Sequence, residues 1–142
     1  MGIDISQKAV EVASENSRTN ETTEKLKLVV GDIREYNFEN KFELIVSNPP
    51  YVSNKEYSTL QKEITDYEPL IAVTDQNDGL EFYRIIAGKF DSLLKPGGKV
   101  YLEVGQDQAE SVAEILSQNG ITKIRLVKDL QKIDRIVVGE KK

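Results

Sequence analysis

One run of five residues, Ser47-Asn48-Pro49-Pro50-Tyr51, places an amide, two imide carbonyls and a phenol directly after an apolar stretch. Such a set suits a planar, weakly nucleophilic amino nitrogen. The lone pair of a glutamine amide or an adenine amino group is delocalised into the neighbouring carbonyl or ring. An asparagine carbonyl and a proline backbone carbonyl can each accept one of its two N–H bonds. The prolines hold their backbone rigid, so these acceptors are aimed before a substrate arrives. The hydrogen bonds draw off positive charge as the nitrogen attacks and fix its line of approach to a donor carbon. Tyr51 is placed to stack on the planar group or wall it in. The plainer reading is that Pro49-Pro50 only ends a strand, since proline cannot donate to a ladder.

Composition narrows the chemistry in the same direction. The 142 residues include no histidine, no cysteine and no tryptophan. Histidine-dependent nucleophilic catalysis, thiolate chemistry, disulfides and Cys- or His-ligated metal sites are thereby excluded. Carboxylates, amides, hydroxyls, backbone groups or a cofactor must do the work, and no metal is expected. Hydrophobic residues make up 39% of the chain and charged residues 30%, an ordinary globular balance. The net charge of −5 repels a nucleic-acid backbone, and there is no basic recognition segment, so direct nucleic-acid binding is not expected. Lys141-Lys142 reads as a solvated terminus. No apolar run approaches the ~20 residues of a membrane span and no signal pattern opens the chain, which points to a cytoplasmic protein.

The elements that carry these residues alternate. Gly2 to Ile5 reads as the end of a strand. Ser6 is a candidate N-cap for a helix over 7–18, with Ala9, Val10, Val12 and Ala13 at helical spacing. Leu26–Val30 and Phe42–Ser47 read as strands. A helix is possible over 57–65, interrupted by Asp66-Tyr67-Glu68-Pro69. A clear helix starts at Asp78 or Gly79, with Leu80, Tyr83, Ile86, Ala87, Phe90 and Leu94 on one stripe, and Lys95-Pro96-Gly97-Gly98 stops it. Lys99–Val104 is a strand, 106–119 a helix ended by Gly120, and Ile121–Val127 with Ile133–Val138 a pair of antiparallel strands. The order implies an α/β fold with a mainly parallel sheet and an antiparallel C-terminal edge hairpin. In such sheets ligands bind beyond the carboxyl ends of the strands. Asp4, Asp32 and Asn48 all stand there. One acid is suited to the ribose hydroxyls of an adenosine cofactor and the next to its adenine amino group. Taken singly, each also reads as a solvated loop carboxylate or a helix cap.

With these motifs in order, the chain resembles the class I S-adenosylmethionine-dependent methyltransferases, and within them the HemK/PrmC family of release-factor glutamine methyltransferases. The resemblance rests on Gly2-Ile3-Asp4-Ile5-Ser6, Gly31-Asp32-Ile33, the strand running into Asn48-Pro49-Pro50-Tyr51, Asp66-Tyr67-Glu68-Pro69, Asp78-Gly79-Leu80-Glu81-Phe82-Tyr83, Leu94-Lys95-Pro96-Gly97-Gly98, Leu102-Glu103-Val104-Gly105, Lys128-Asp129-Leu130 and Asp134-Arg135. The Asn-Pro-Pro-Tyr tetrapeptide is shared with DNA-adenine and RNA-guanine enzymes; the Tyr-Glu-Pro and Asp-Gly-Leu-x-Phe-Tyr segments narrow the match. The resemblance implies that S-adenosyl-L-methionine is held by Asp4, Ile5, Asp32, Ile33 and Asn48, with Asp4 at the ribose and Asp32 and Ile33 at the adenine. It implies catalytic roles for Asn48, Pro49 and Tyr51, and a substrate pocket of Asn48, Pro49, Pro50, Tyr51 and Glu68. The partner it implies is a peptide-chain release factor, methylated on the glutamine of its Gly-Gly-Gln loop by direct displacement.

The family also has a central first strand and a Gly-rich turn ahead of the segment that starts here, and a helical docking domain before those. None of the nine glycines forms a Gly-x-Gly-x-x-Gly turn. The expectation is a C-terminal portion of a Rossmann-like methyltransferase domain over 1–142, lacking that strand and turn. Two sheet edges would be left unpaired, cofactor binding would be weak or absent, and self-association through the edges is possible. Two other functions compete: an adenine or guanine amino-methyltransferase acting on nucleic acid, and an inactive fragment that binds partners through its open edges. Among the remaining groups, Glu63, Asp66 and Glu68 read mainly as a solvated loop, Tyr83 as core, and Asp134-Arg135 as a structural ion pair. Glu103 is equally suited to facing the cleft or to a buried structural role.

Overall fold

The computed structural model describes residues 1–142, which divide into two compact units, 1–38 and 39–142. In the first, strand β1 (Gly2–Asp4) leads into helix α1 (Gln7–Thr19), a short 3-10 turn (Thr23–Lys25) and strand β2 (Leu28–Val30). The two strands pair in parallel, Gly2 with Leu28 and Asp4 with Val30. Ser6 caps α1 as its sequence predicts, its Oγ accepting from the Ala9 N–H at 3.2 Å. Strand β2 starts two residues later than expected because Leu26 N–H closes the preceding turn on Thr23 O. Only Ser17 of α1 is buried, and Val12, one of the residues that set its apolar period, is 47% exposed.

The second unit is built on strands β3 (Phe42–Ser47), β4 (Leu94–Glu103), β5 (Ile121–Lys128) and β6 (Asp134–Lys141) in the spatial order β3-β4-β6-β5. β3 and β4 are parallel; β6 is antiparallel to both β4 and β5. The expected C-terminal hairpin is present, with β6 inserted next to β4 so that β5 forms the edge. Helices α2 (Asn54–Tyr57), α3 (Lys62–Tyr67) and α4 (Leu70–Val73) precede α5 (Glu81–Gly88), α6 (Phe90–Leu93) and α7 (Ala109–Gln118). The core joins Tyr83, Ile86, Phe90, Val112 and Leu116 of the helices to Val100, Leu102 and Val137 of the strands, all nearly free of solvent. β3 pairs only with β4, and β1 only with β2, so each sheet has the unpaired parallel edge expected of it. On β3, Leu44 and Val46 point to one face and are 52% and 71% exposed.

Several expectations need correction. The region 57–65 is not one helix: α2 ends at Tyr57 and α3 begins at Lys62, then runs on through Asp66 to Tyr67 before Glu68 and Pro69 end it. The long helix from 78 to 94 breaks at Lys89 into α5 and α6, and Leu94 belongs to β4 rather than to the helical stripe. Lys95–Gly98 lies inside β4 as an irregular excursion, with Gly97 at φ +74°, a left-handed conformation open to glycine. Helix α7 starts at Ala109, three residues late, because 105–108 form a turn. Asp134 and Arg135 do not pair with each other: Asp134 binds Lys128 and Arg135 binds Asp129, both at 3.1 Å, as neighbours on a strand must point to opposite faces. Lys141 is not a solvated tail residue. It lies in β6, and its Nζ donates to Phe90 O at 3.0 Å and to Asp91 at 2.8 Å.

Candidate functional site

In the first unit, the register of β1 on β2 brings two acids to adjacent strand ends. Gly31 N–H donates to Asp4 O at 2.9 Å, continuing the ladder one step beyond the strands. Asp4 is exposed, and one of its oxygens accepts from Ser6 N–H at 2.8 Å, tying the acid to the start of α1. Ile5 beside it is 45% exposed, an apolar surface next to a carboxylate. Ile33 is half-buried. Asp4 with Ile5, and Asp32 with Ile33, thus follow the adjacent ends of β1 and β2.

Asp32 carries an arrangement that sequence reading missed. Both of its oxygens are engaged by Arg34: Nε lies at 3.0 and 2.9 Å and Nη2 at 2.5 Å, while the Arg34 backbone N–H adds 2.8 Å. The guanidinium hydrogen bonds hold the Asp32 carboxyl below its ordinary range. A carboxyl lowered in the folded state stabilises above its unfolded pKa, and that contribution fades as pH falls through the lower folded value. The effect therefore belongs to pH below the ordinary 3.8. Replacing Arg34 by methionine is expected to move the Asp32 titration up toward that value, followed by carbon NMR of its carboxyl. An unchanged titration would show that Arg34 is not the cause.

In the second unit, β3 delivers Asn48-Pro49-Pro50-Tyr51 from the C-terminal end of a parallel strand. Ser47 is still in register with Leu102 of β4. Asn48 is exposed, Pro49 buried, and Pro50 and Tyr51 half-buried. The residue before a proline is confined to extended backbone, and each proline fixes its own φ, so three consecutive residues have little freedom. Downstream the chain is pinned again. Val52 N–H donates to Val73 O at 3.1 Å, Asn54 N–H donates to Asn77 O at 3.0 Å, and Ser53 and Glu56 form a reciprocal capping box at α2. Glu68 is exposed at the end of α3, with its backbone N–H on Ile64 O at 3.0 Å.

The turn from 74 to 81 backs this loop. Asp75 accepts from the N–H groups of Asn77, Gly79 and Glu81 at 2.8, 3.0 and 3.1 Å. Gly79 sits at φ +81°, and a Cβ there would lie 2.5 Å from Tyr51 O, so no side chain fits between turn and loop. The Tyr51 carbonyl accepts from Gln108 Nε2 at 2.8 Å. Tyr83 is wholly buried, as its place on the apolar stripe predicts. Its hydroxyl donates to Glu103 O at 2.8 Å, and burial raises its pKa. Glu103, Gly105 and Gln108 thus connect the end of β4 to the loop's surroundings. In the sequence, Gly79 stands out only within Asp78-Gly79-Leu80-Glu81-Phe82-Tyr83, a segment that carries the resemblance and opens a helix, while Asp75 and Gln108 belong to no motif.

Each unit thus carries polar residues just beyond the C-terminal ends of parallel strands, Asp4 and Asp32 in the first and the Asn48–Tyr51 loop in the second. The chain belongs to the methyltransferase domain family, whose model matches residues 1–137. It is similar to the release factor glutamine methyltransferase of Clostridium acetobutylicum, with 39% identity over 96% of this chain and 48% of the relative. That of Thermodesulfovibrio yellowstonii is 43% identical over 99% of this chain and 50% of the relative. The chain thus spans about half the length of the curated relatives it matches. Among solved structures, a methyltransferase from Pyrococcus furiosus superposes with a TM-score of 0.69 at 19% identity, covering 98% of this chain and 60% of that one. That likeness supports the fold. No helix in the chain is long and apolar enough to cross a membrane.

Methyltransferases of this class use S-adenosylmethionine, and the first unit fits its adenosine part. An exposed carboxylate with one free oxygen, an exposed isoleucine and a second carboxylate stand on neighbouring strand ends. The Arg34 pair is the one feature that such a fit would require to adapt, since an adenine amino group at Asp32 would need the oxygens that Arg34 holds.

Proposed function

We propose that the chain carries the acceptor and adenosine-binding parts of an S-adenosylmethionine-dependent methyltransferase acting on the side-chain amide of glutamine, in the Gly-Gly-Gln loop of a peptide-chain release factor. The observation that carries this reading is the Asn48–Tyr51 loop: an exposed amide followed by two prolines at a parallel strand end, pinned on both sides. Asn48 and the Pro49 carbonyl would accept the two N–H bonds of the substrate amide, and Pro50 and Tyr51 would wall its plane. Asp4 would hold the ribose hydroxyls, and Ile5 and Ile33 would pack beside the adenine. The cofactor, when bound, supplies an activated methyl group. The protein's task is to orient the nitrogen, keep water away and remove positive charge from it, work that needs no histidine or cysteine. The relatives' activity as release factor glutamine methyltransferases supports glutamine as acceptor, and the cytoplasm, where translation ends, as its place of action. Glu68, exposed beside Tyr67 and Pro69, would meet the substrate protein around its Gly-Gly-Gln loop.

The test is methyl transfer from labelled cofactor to a release factor, with duplex DNA and transfer RNA as competing acceptors. It is run on the 142-residue chain and on the chain joined to the N-terminal half of the Thermodesulfovibrio yellowstonii relative. The joined protein is expected to methylate the release factor alone, and the isolated chain to bind cofactor weakly by calorimetry. Transfer to nucleic acid instead would overturn the reading.

A further inference from the structure

The loop between Ser47 and Tyr51 has two anchors, one on β4 and one on the connection from β4 to α7. Ser47 is fixed upstream by its place opposite Leu102. Tyr51 is fixed downstream by Gln108, six residues further along the chain and just before α7. Asn48, Pro49 and Pro50 are strung between these points, so the position of the second anchor sets where the Asn48 amide and the Pro49 carbonyl stand.

Gln108 is built for that role. Its Oε1 accepts from Gly105 N–H at 3.0 Å, while its Nε2 donates to Tyr51 O at 2.8 Å and reaches Gly79 O at 3.4 Å. Only this orientation of the amide works, because the reverse would set oxygen against a carbonyl and N–H against N–H. The cradle admits nothing larger. A Cβ on Gly105 would lie 2.8 Å from Gln108 Oε1 and 3.0 Å from the Tyr51 ring, and one on Gly79 would lie 2.7 Å from Nε2. Gln108 is the residue just before α7, yet its side chain does not cap that helix; it crosses to a loop 57 residues away in sequence.

We propose that Gln108 is a positioning residue for methyl transfer, which sets the acceptor loop by holding the Tyr51 carbonyl. The inference rests on the reading of Asn48–Tyr51 as the amide-binding loop. The competing explanation is that Gln108 only ties off the turn at Gly105. Two substitutions separate these. Gln108→Glu keeps the volume and the acceptor for Gly105 N–H but loses the donor to Tyr51. Gln108→Met loses both.

The experiment measures amide hydrogen exchange and acetyl-Gly-Gly-Gln-amide binding by NMR on the 142-residue chain and both variants. The expected result is faster exchange at Val52 and Asn54 and on the order of tenfold weaker tripeptide binding in both variants. Exchange at Val100, Leu102 and Val137 should stay as in the parent. A glutamate variant that behaves like the parent overturns the proposal, because tying off Gly105 would then suffice. So does acceleration spread evenly over loop and core. If the parent itself binds no tripeptide at Asn48–Tyr51, the amide-binding reading fails, and the loop exchange still decides whether Gln108 sets the loop.

Discussion

Asn48→Ala in the joined protein is expected to lower methyl transfer to a Gly-Gly-Gln peptide by about 10²–10³-fold, the usual loss for a preorganised hydrogen-bond partner at a reacting centre. The loss should appear mainly in kcat. A glutamine amide nitrogen has little positive character in the ground state and gains it as the methyl group arrives, so the Asn48 carbonyl bond strengthens toward the transition state. Uniform weakening, with KM raised and kcat kept, would mean that Asn48 only holds the substrate. Folding should not suffer, because Asn48 is exposed and the loop's anchors at Ser47 and Tyr51 are backbone groups that the substitution leaves in place. Initial rates over a range of peptide concentrations distinguish these outcomes. A fall of less than fivefold would remove Asn48 from the reaction.

Leu102→Ala is expected to cost about 2–5 kcal/mol of stability. Leu102 is fully buried in the middle strand region, between Ser47 of β3 and Val137 of β6. Removing its side chain leaves a hole where helices and sheet meet, and close-packed neighbours refill such holes only in part. Because the chain has two units, a single unfolding midpoint would mix their transitions. Exchange at the Val100 and Val137 amides reads the second unit by itself. Leu130→Ala serves as the comparison: Leu130 is fully exposed in the turn before β6, and its loss should change stability by no more than about 0.5 kcal/mol. Equal effects from the two substitutions would contradict the assigned core.

Much of the fold and half of the candidate site were legible from local signals. The strand Phe42–Ser47 has the bounds its composition predicts, because an apolar run ended by two prolines leaves no other place to stop. The serine before α1 caps it as such residues do. The C-terminal strands pair as their short separation requires. What escaped was set by partners distant in sequence. The break at Lys89 directly follows Gly88, a local signal outweighed by the apolar stripe that runs across it. The capture of Leu94 by β3 depends on Phe42, its register partner. Lys141 reads as a charged tail until Phe90 O and Asp91 are seen beside it. Asp32 looked like a free acceptor, because nothing in its composition announced that Arg34, two residues on, closes over both its oxygens. Gln108 belonged to no motif, and its importance comes wholly from Tyr51 and Gly79.

The excursion at Lys95–Gly98 has a consequence for how the family can vary. Between consecutive pairs, β3 advances from Phe42 to Leu44 while β4 advances from Leu94 to Lys99. The surplus is stored in one exposed kink at Lys95, Pro96 and Gly97, where a Cβ on Gly97 would meet open space. It acts as slack in a belt. Residues gained or lost there change the size of the kink, while the phase of the pairs from Leu44–Lys99 to Ser47–Leu102 is kept. A short epitope inserted between Pro96 and Gly97 would travel with the second unit and leave the place of Asn48 at the end of β3 unchanged.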